Sequence, residues 1–268
     1  MIKNYNYLGI NKFLLINFVL ICSIALFLFS CKEKQFSKSQ IALNLDSSAN
    51  YPKLIDTSNF DLFTYFPKEK ISRFEDEIIN FEKSDNISFP DKNKILFVGS
   101  SSIRKWSTLI TDMLPLEVIQ RGFGGSTIPE VIYYSDKVVF KYFPKVIVFY
   151  CGENDHFINN SVKVYETFQY FEKKIHNKLP DCKLYFISIK PSPSRAHLWK
   201  KMSVTNRFIK YYCQITENTE YINIASKMFN ENFTIKNNLF ISDSLHLNSE
   251  GYKLWTSEIK PILEKSKN

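Results

Sequence analysis

The chain has 268 residues, 44% of them hydrophobic, with 35 basic and 27 acidic side chains that give a formal charge of +8. The basic excess is not clustered, and no arginine-rich run or nucleic-acid motif accompanies it. Nucleic acid is therefore excluded from the expected partners, and the charge bears on solubility instead.

Residues 1–30 read as a leader. Lys3 and Lys12 make a basic start without acidic residues, residues 13–29 are almost wholly apolar, and Ser30-Cys31 follows at once, the layout of a signal peptide. Leu28-Phe29-Ser30-Cys31 resembles a bacterial lipobox, which implies acylation of Cys31, loss of the preceding peptide and a membrane anchored lipoprotein of the cell envelope. A single transmembrane anchor is the other reading, although the run is at the short limit for crossing a bilayer. Both readings export and tether the rest of the chain.

Five cysteines are present. Cys22 falls in the leader and Cys31 goes to lipid. Cys151, Cys182 and Cys213 remain, with no CxxC or Cys/His pair at metal-ligand spacing, so neither a disulfide framework nor a metal site is expected. Cys151 lies in an apolar run and reads as a core residue.

Residues 31–60 are polar and aperiodic, the composition of a linker, and residues 61–268 suit one domain with a sizeable core. Apolar residues at helical spacing predict an amphipathic helix over 68–84. Short apolar runs at 95–98, 116–119, 146–150, 184–189 and 221–224 then alternate with helical patterns near 103–113, 128–142, 162–178, 196–215 and 249–264. Strands apolar on both faces and joined by helices indicate a parallel sheet covered on both sides. The expected fold class is α/β, a three-layer α/β/α sandwich of about five strands, in the range usual for sheets. A TIM barrel needs eight such units, and the chain does not supply them.

In a parallel sheet the loops after each strand open on one rim, where ligands bind. Gly99-Ser100-Ser101-Ser102 follows the first strand; these serines are a nucleophile or caps of the next helix. Gln120-Arg121-Gly122-Phe123-Gly124-Gly125-Ser126-Thr127 follows the second and is a tight turn or an oxyanion-binding nest; the glycines are misplaced for a dinucleotide site. Gly152-Glu153-Asn154-Asp155-His156 follows the third. The Asn154 amide carries two uncharged donors suited to an oxyanion, or it makes an Asx turn, and His156 reads as a loop histidine. Lys190 and Arg195, after the fourth strand, are solvated charges or contacts for an anionic substrate, with Trp199 able to line a pocket. Asp243-Ser244-Leu245-His246 precedes the last helix. A serine needs a base, and the base an acid group that fixes its tautomer; alternatively Asp243 caps and His246 packs. His176 and His197 read as surface residues.

Ser, Gly-rich loop, Asn and Asp-x-x-His, in this order over residues 94–253, resemble the SGNH (GDSL-type) hydrolase family. Gly99-Ser100-Ser101, Gly122-Phe123-Gly124-Gly125, Gly152-Glu153-Asn154-Asp155 and Asp243-Ser244-Leu245-His246 look like its four blocks. Gly-Phe-Gly-Gly-Ser with Gly-Glu-Asn-Asp is similar to platelet-activating-factor acetylhydrolase catalytic subunits. The resemblance implies a flavodoxin-like sheet of order 2-1-3-4-5 and Ser101 as nucleophile. It also implies His246 as base, Asp243 as its orienting acid, and an oxyanion hole from the Ser101 and Gly125 N–H groups and the Asn154 side chain. Ser100 stands where the family has aspartate, which keeps Ser102 as second choice for the nucleophile. No GxSxG elbow occurs, against an α/β-hydrolase.

The expected function is an exported, lipid-anchored serine esterase that hydrolyses an acyl ester, acetyl among the candidates, without metal or organic cofactor. Its partners would be a small-molecule, lipid or glycan ester and, through the N-terminal lipid, a membrane. The alternatives are an acyltransferase using the same triad and a catalytically silent glycan-binding domain.

Overall fold

A computed structural model describes residues 51–266. The leader, Cys31 and residues 31–50 of the expected linker lie outside the described residues. Residues 51–60, the rest of that linker, lie on the folded body. The Ile55 N–H donates to Gln169 Oε1 at 3.1 Å, Tyr51 stacks on Tyr211 at 4.2 Å, and Phe60 stacks on Tyr170 at 3.9 Å.

Five parallel strands form one sheet in the order β2-β1-β3-β4-β5. They are β1 (Ile95–Gly99), β2 (Val118–Gly122), β3 (Val146–Tyr150), β4 (Lys183–Ile187) and β5 (Thr219–Ile222). All five residues of β1 are buried, as expected of a strand flanked on both edges and covered on both faces. At the edges, β2 carries half-exposed Gln120 and Arg121 and β5 an exposed Glu220. Here the apolar runs misplace the ends: β2 starts two residues later than 116 and continues through Gln120 and Arg121, and β5 starts at Thr219 rather than 221.

The helices are α1 (Glu75–Ile87), α2 (Ser101–Arg104), α3 (Leu109–Asp112), α4 (Ile128–Tyr133), α5 (Ser135–Val138), α6 (Ser161–Lys178), α7 (Trp199–Ile215) and α8 (Ser249–Lys265). Two expected helices are broken: 103–113 divides into α2 and α3, and 128–142 into α4, α5 and a 3-10 turn. The helix expected from 68 begins at Glu75. Before it, residues 67–75 close successive i to i+3 hydrogen bonds, such as Ile71 N to the Lys68 carbonyl, because this stretch turns to cover the Gly-rich loop.

The sheet separates two helical layers. On one side Trp106, just after α2, stacks on Tyr252 of α8 at 5.1 Å and meets Trp255 edge-on at 5.8 Å. On the other, α6 packs against both α4 and α7. Neighbouring residues of β3 divide between the layers: Tyr150 meets Trp255 at 4.9 Å and Phe149 meets Phe171 of α6 at 4.4 Å. Trp106, Trp199 and Trp255 are all enclosed, so Trp199 is a core residue. Cys151, Cys182 and Cys213 are buried free thiols.

Candidate active site

The registers of β1 with its two neighbours bring three loops together. Gly99 pairs with Gly122 on one side and Tyr150 on the other. The Phe123 N–H donates to the Gly99 carbonyl, and the Ser100 N–H to the Tyr150 carbonyl. Gly99 has φ +138°, and a Cβ there would stand 1.9 Å from the Tyr150 carbonyl oxygen. The chain can therefore turn so close to β3 only without a side chain.

Ser100 occupies the N-cap position of α2 but makes no side-chain capping bond. Ser101 is the first residue of that helix, so its N–H is one of the donors without a partner inside the helix. Its hydroxyl Oγ lies 3.1 Å from His246 Nε2, and His246 Nδ1 lies 2.6 Å from Asp243 Oδ2. Ser102 is buried, with its carbonyl accepting from the Tyr252 hydroxyl. Of the two candidate serines, the histidine bonds Ser101.

The Asp-x-x-His segment is a turn, tied by Ser244 N to the Ile241 carbonyl and Ile241 N to the His246 carbonyl, both at 2.9 Å. Ser244 adopts φ +56°, which returns the chain so that Asp243 Oδ1 accepts the N–H groups of Leu245 and His246, each at 2.9 Å. Desolvation raises the Asp243 carboxyl, but hydrogen bonds from the His246 ring and these two N–H groups outweigh it and hold the group well below the usual carboxylate range. An ionised Asp243 favours the His246 tautomer with hydrogen on Nδ1, which leaves Nε2 as acceptor toward Ser101.

The Gly-rich loop is held from outside by residues the motif reading missed. Arg73 donates through Nε to Glu130 Oε1 at 2.6 Å, and through its terminal nitrogen to Glu130 Oε2 at 3.0 Å and the Gly125 carbonyl at 3.3 Å. Glu77 accepts the Gly124 N–H at 2.9 Å. Glu130 also closes a capping box with Thr127 at the start of α4, and Thr127-Ile128-Pro129-Glu130 is the sequence signal that could have pointed to it. Arg73 and Glu77 have no local signal, because they act across more than forty residues.

Asn154 donates one amide hydrogen to the Ser126 carbonyl at 3.1 Å, and an amide carries two. A Cβ on Gly125 would stand 3.6 Å from Asn154 Nδ2, so the two expected oxyanion donors are neighbours. Both line a cavity of about 230 Å³. Phe157 and Ile158 line it too, together with Phe66, Pro67, Lys70 and Arg73. A wider depression of about 570 Å³ lies between residues 226 and 258, lined by none of Ser101, Asp243 and His246.

The other expected positions fall differently. Lys190, read as a solvated charge or an anion contact, is fully enclosed, with Nζ 3.0 and 2.8 Å from the Glu153 carboxylate oxygens. Arg195 reaches the same carboxylate at 3.3 Å, and the Tyr150 hydroxyl donates to it at 2.8 Å. Neither cation is available to a substrate, because a buried carboxylate needs the counter-charge. His156 is buried beside Thr205, and burial, assisted by the charge of Lys201, pushes its imidazole down to about 4. His176 is not a surface residue either: it bridges Glu172 at 2.6 Å and the Cys182 carbonyl at 2.8 Å. His197 is exposed. Among the described residues no group of His, Cys, Asp and Glu side chains is arranged to hold a metal ion.

A model of the GDSL-like lipase/acylhydrolase family matches residues 93–254. No curated protein is similar enough to count as a match. Among solved structures, a Streptococcus pneumonia protein provisionally named a platelet activating factor is 16% identical, with a TM-score of 0.64 over 73% of this chain and 95% of that one. A GDSL-like lipase from Bacteroides thetaiotaomicron is 18% identical, with a TM-score of 0.59 over 70% and 99%. A family 3 carbohydrate esterase from Clostridium thermocellum is 17% identical, with a TM-score of 0.51 over 66% and 100%. At such identities the structural likeness speaks for the fold.

Proposed function

The chain belongs to the GDSL-like lipase/acylhydrolase family and is a carboxylic ester hydrolase, and from that premise we propose that it cleaves its ester through an acyl-enzyme on Ser101. The observation that carries this reading is the hydrogen-bonded series from Ser101 Oγ through His246 to Asp243, at 3.1 and 2.6 Å. His246 Nε2 takes the hydroxyl proton as Oγ attacks the carbonyl carbon. The negative oxygen that forms is met by the Ser101 and Gly125 N–H groups and the remaining Asn154 amide hydrogen, donors fixed in advance where charge develops. Collapse breaks the bond to the alcohol oxygen, which leaves with the proton from His246. Water then gives a proton to His246 and attacks the acyl carbon, and Ser101 recovers its proton as the acid departs.

The test is turnover of short-chain nitrophenyl esters with fluorophosphonate labelling. Ser101 should carry the adduct, and Ser101→Ala should abolish both signals. An adduct on Ser102 would overturn the assignment.

In the same reading the enzyme is exported and held to a membrane by lipid on Cys31, supported by the basic start, the apolar run and Leu28-Phe29-Ser30-Cys31. Cys31→Ala should accumulate unprocessed precursor without incorporated lipid; normal processing would refute the anchor. Small-molecule, lipid and glycan esters are the substrate classes to profile, the last because one relative of the same fold is a carbohydrate esterase.

A further inference from the structure

The cavity beside Gly125 and Asn154 has a fixed relation to the reacting atoms. His246 enters from the segment before α8, and α8 shares a layer with Trp106 after α2. The cavity is walled instead by Thr127 at the start of α4 and by Phe157 and Ile158 ahead of α6, and α4 and α6 pack together in the opposite layer. In ester cleavage the alcohol must leave on the side of the histidine that protonates it. The remaining substituent of the carbonyl carbon, the acyl chain, then extends past the oxyanion donors into this cavity.

Its lining defines the chain that fits. At about 230 Å³ it far exceeds the roughly 10–15 Å³ of such space that one water-sized group needs, so it is larger than the methyl of an acetyl group requires. Phe66, Pro67, Phe157 and Ile158 are apolar, and the last two are more than half exposed. Lys70 and Arg73 are the charged residues of the wall, and no carboxylate lines it. Arg73 is already neutralised by Glu130. Among the described residues no ion pair engages Lys70, an exposed side chain, which leaves one unpaired positive charge at this partly apolar cavity. All of Phe66, Pro67, Lys70 and Arg73 precede the residues matched by the family model, so this part of the lining lies outside the matched region.

We infer that the acyl group this enzyme removes has an apolar stem longer than acetyl and an anionic far end received by Lys70. The inference rests on the acyl-enzyme reading above. It makes Lys70 a specificity determinant without a part in the bond-breaking steps.

The experiment compares kcat/KM for two nitrophenyl esters with five-carbon acyl groups, valerate and the glutarate monoester, in the full chain and in Lys70→Ala, Lys70→Glu and Lys70→Arg. The glutarate-to-valerate ratio should fall about two- to fivefold in Lys70→Ala, the scale of a solvent-accessible ion pair. It should fall further in Lys70→Glu, hold in Lys70→Arg, and decline in the wild type as salt rises. A purely structural role would lower both esters alike and leave the ratio unmoved, and an unchanged ratio in Lys70→Glu overturns the inference while the esterase reading stands. If the wild type turns over neither these nor shorter esters, or if turnover survives in Ser101→Ala, the acyl-enzyme reading falls and this inference falls with it.

Discussion

Lys190 Nζ lies 2.8 Å from Glu153 Oε2, and the lysine side chain is fully enclosed. Burial raises the Glu153 carboxyl, yet Lys190 and Arg195 together hold it below its ordinary value, while the same burial lowers the Lys190 ammonium against the pull of Glu153. Glu153 precedes Asn154, and the loop bearing Arg195 is tied to the histidine turn by Ser194 N donating to the Ser244 carbonyl at 3.1 Å. The network thus joins the loops that carry Asn154 and His246.

Removing one member of such a pair strands the other charge, which costs about 3–5 kcal/mol. Glu153→Gln should lower the unfolding free energy on that scale in urea titrations. The double variant Glu153→Leu with Lys190→Met should recover most of the loss, since apolar replacement of a whole buried pair is often neutral. If Glu153→Gln unfolds with the wild type, the pair has no structural weight.

The parallel sheet was legible because most of its strands are short apolar runs and its crossovers helical patterns, whereas the strand order came from the family resemblance alone. Ser101 and Asn154 stood out because they follow strand ends, Asp243 and His246 because they precede the last helix, and the family resemblance supplied their expected roles. Lys190 did not: a lysine after a strand reads as solvated, and only the fold reveals the glutamate, thirty-seven positions earlier, that encloses it. Arg73 was hidden in the same way. Its residue pattern suits a helix, but its guanidinium binds Glu130 and the Gly125 carbonyl, and the backbone turns there instead.

His246→Ala should reduce kcat by about a thousandfold or more, the scale of triad deletions. Asp243→Asn should cost a comparable factor because the amide favours the wrong imidazole tautomer. Neither change should move the melting temperature by more than a few degrees, because Asp243 is substantially exposed and its bonds are confined to its own turn. Steady-state kinetics and calorimetry check both parts; near-normal kcat in His246→Ala would exclude it as the base.

In the proposed mechanism Asn154→Ala removes an uncharged donor to the developing oxyanion, and the expected loss is about 100- to 1000-fold in kcat with KM little changed. A change confined to KM would instead assign Asn154 to ground-state binding. Asn154→Asp, similar in shape but acceptor-only when ionised, should be at least as damaging.

Asp155 and His156 are adjacent, and burial drives their protonation in opposite senses. Burial pushes the Asp155 carboxyl up to about 7 against the hydrogen bond from Ile128 N, and pushes His156 down to about 4. In the unfolded chain these groups titrate near ~3.9 and ~6.5. Between about pH 4 and 7 the folded protein keeps the Asp155 proton that the unfolded chain releases, so this contribution is full in acid and is lost as pH rises. Between about pH 6.5 and 4 the unfolded chain protonates an imidazole that the folded protein keeps neutral, so the His156 contribution is full near neutrality and is lost as pH falls. The two slopes oppose each other over nearly one window. Relative to the wild type, Asp155→Asn should therefore gain about 2–4 kcal/mol as pH rises from 4 to 7, at roughly 1.4 kcal/mol for each tenfold difference in proton affinity. His156→Gln should gain about as much relative to the wild type as pH falls from 6.5 to 4, because it lacks the group that must stay neutral. Urea unfolding at fixed pH values reads both differences, and parallel pH profiles for the wild type and both variants would show that the folded protein does not hold these two groups neutral.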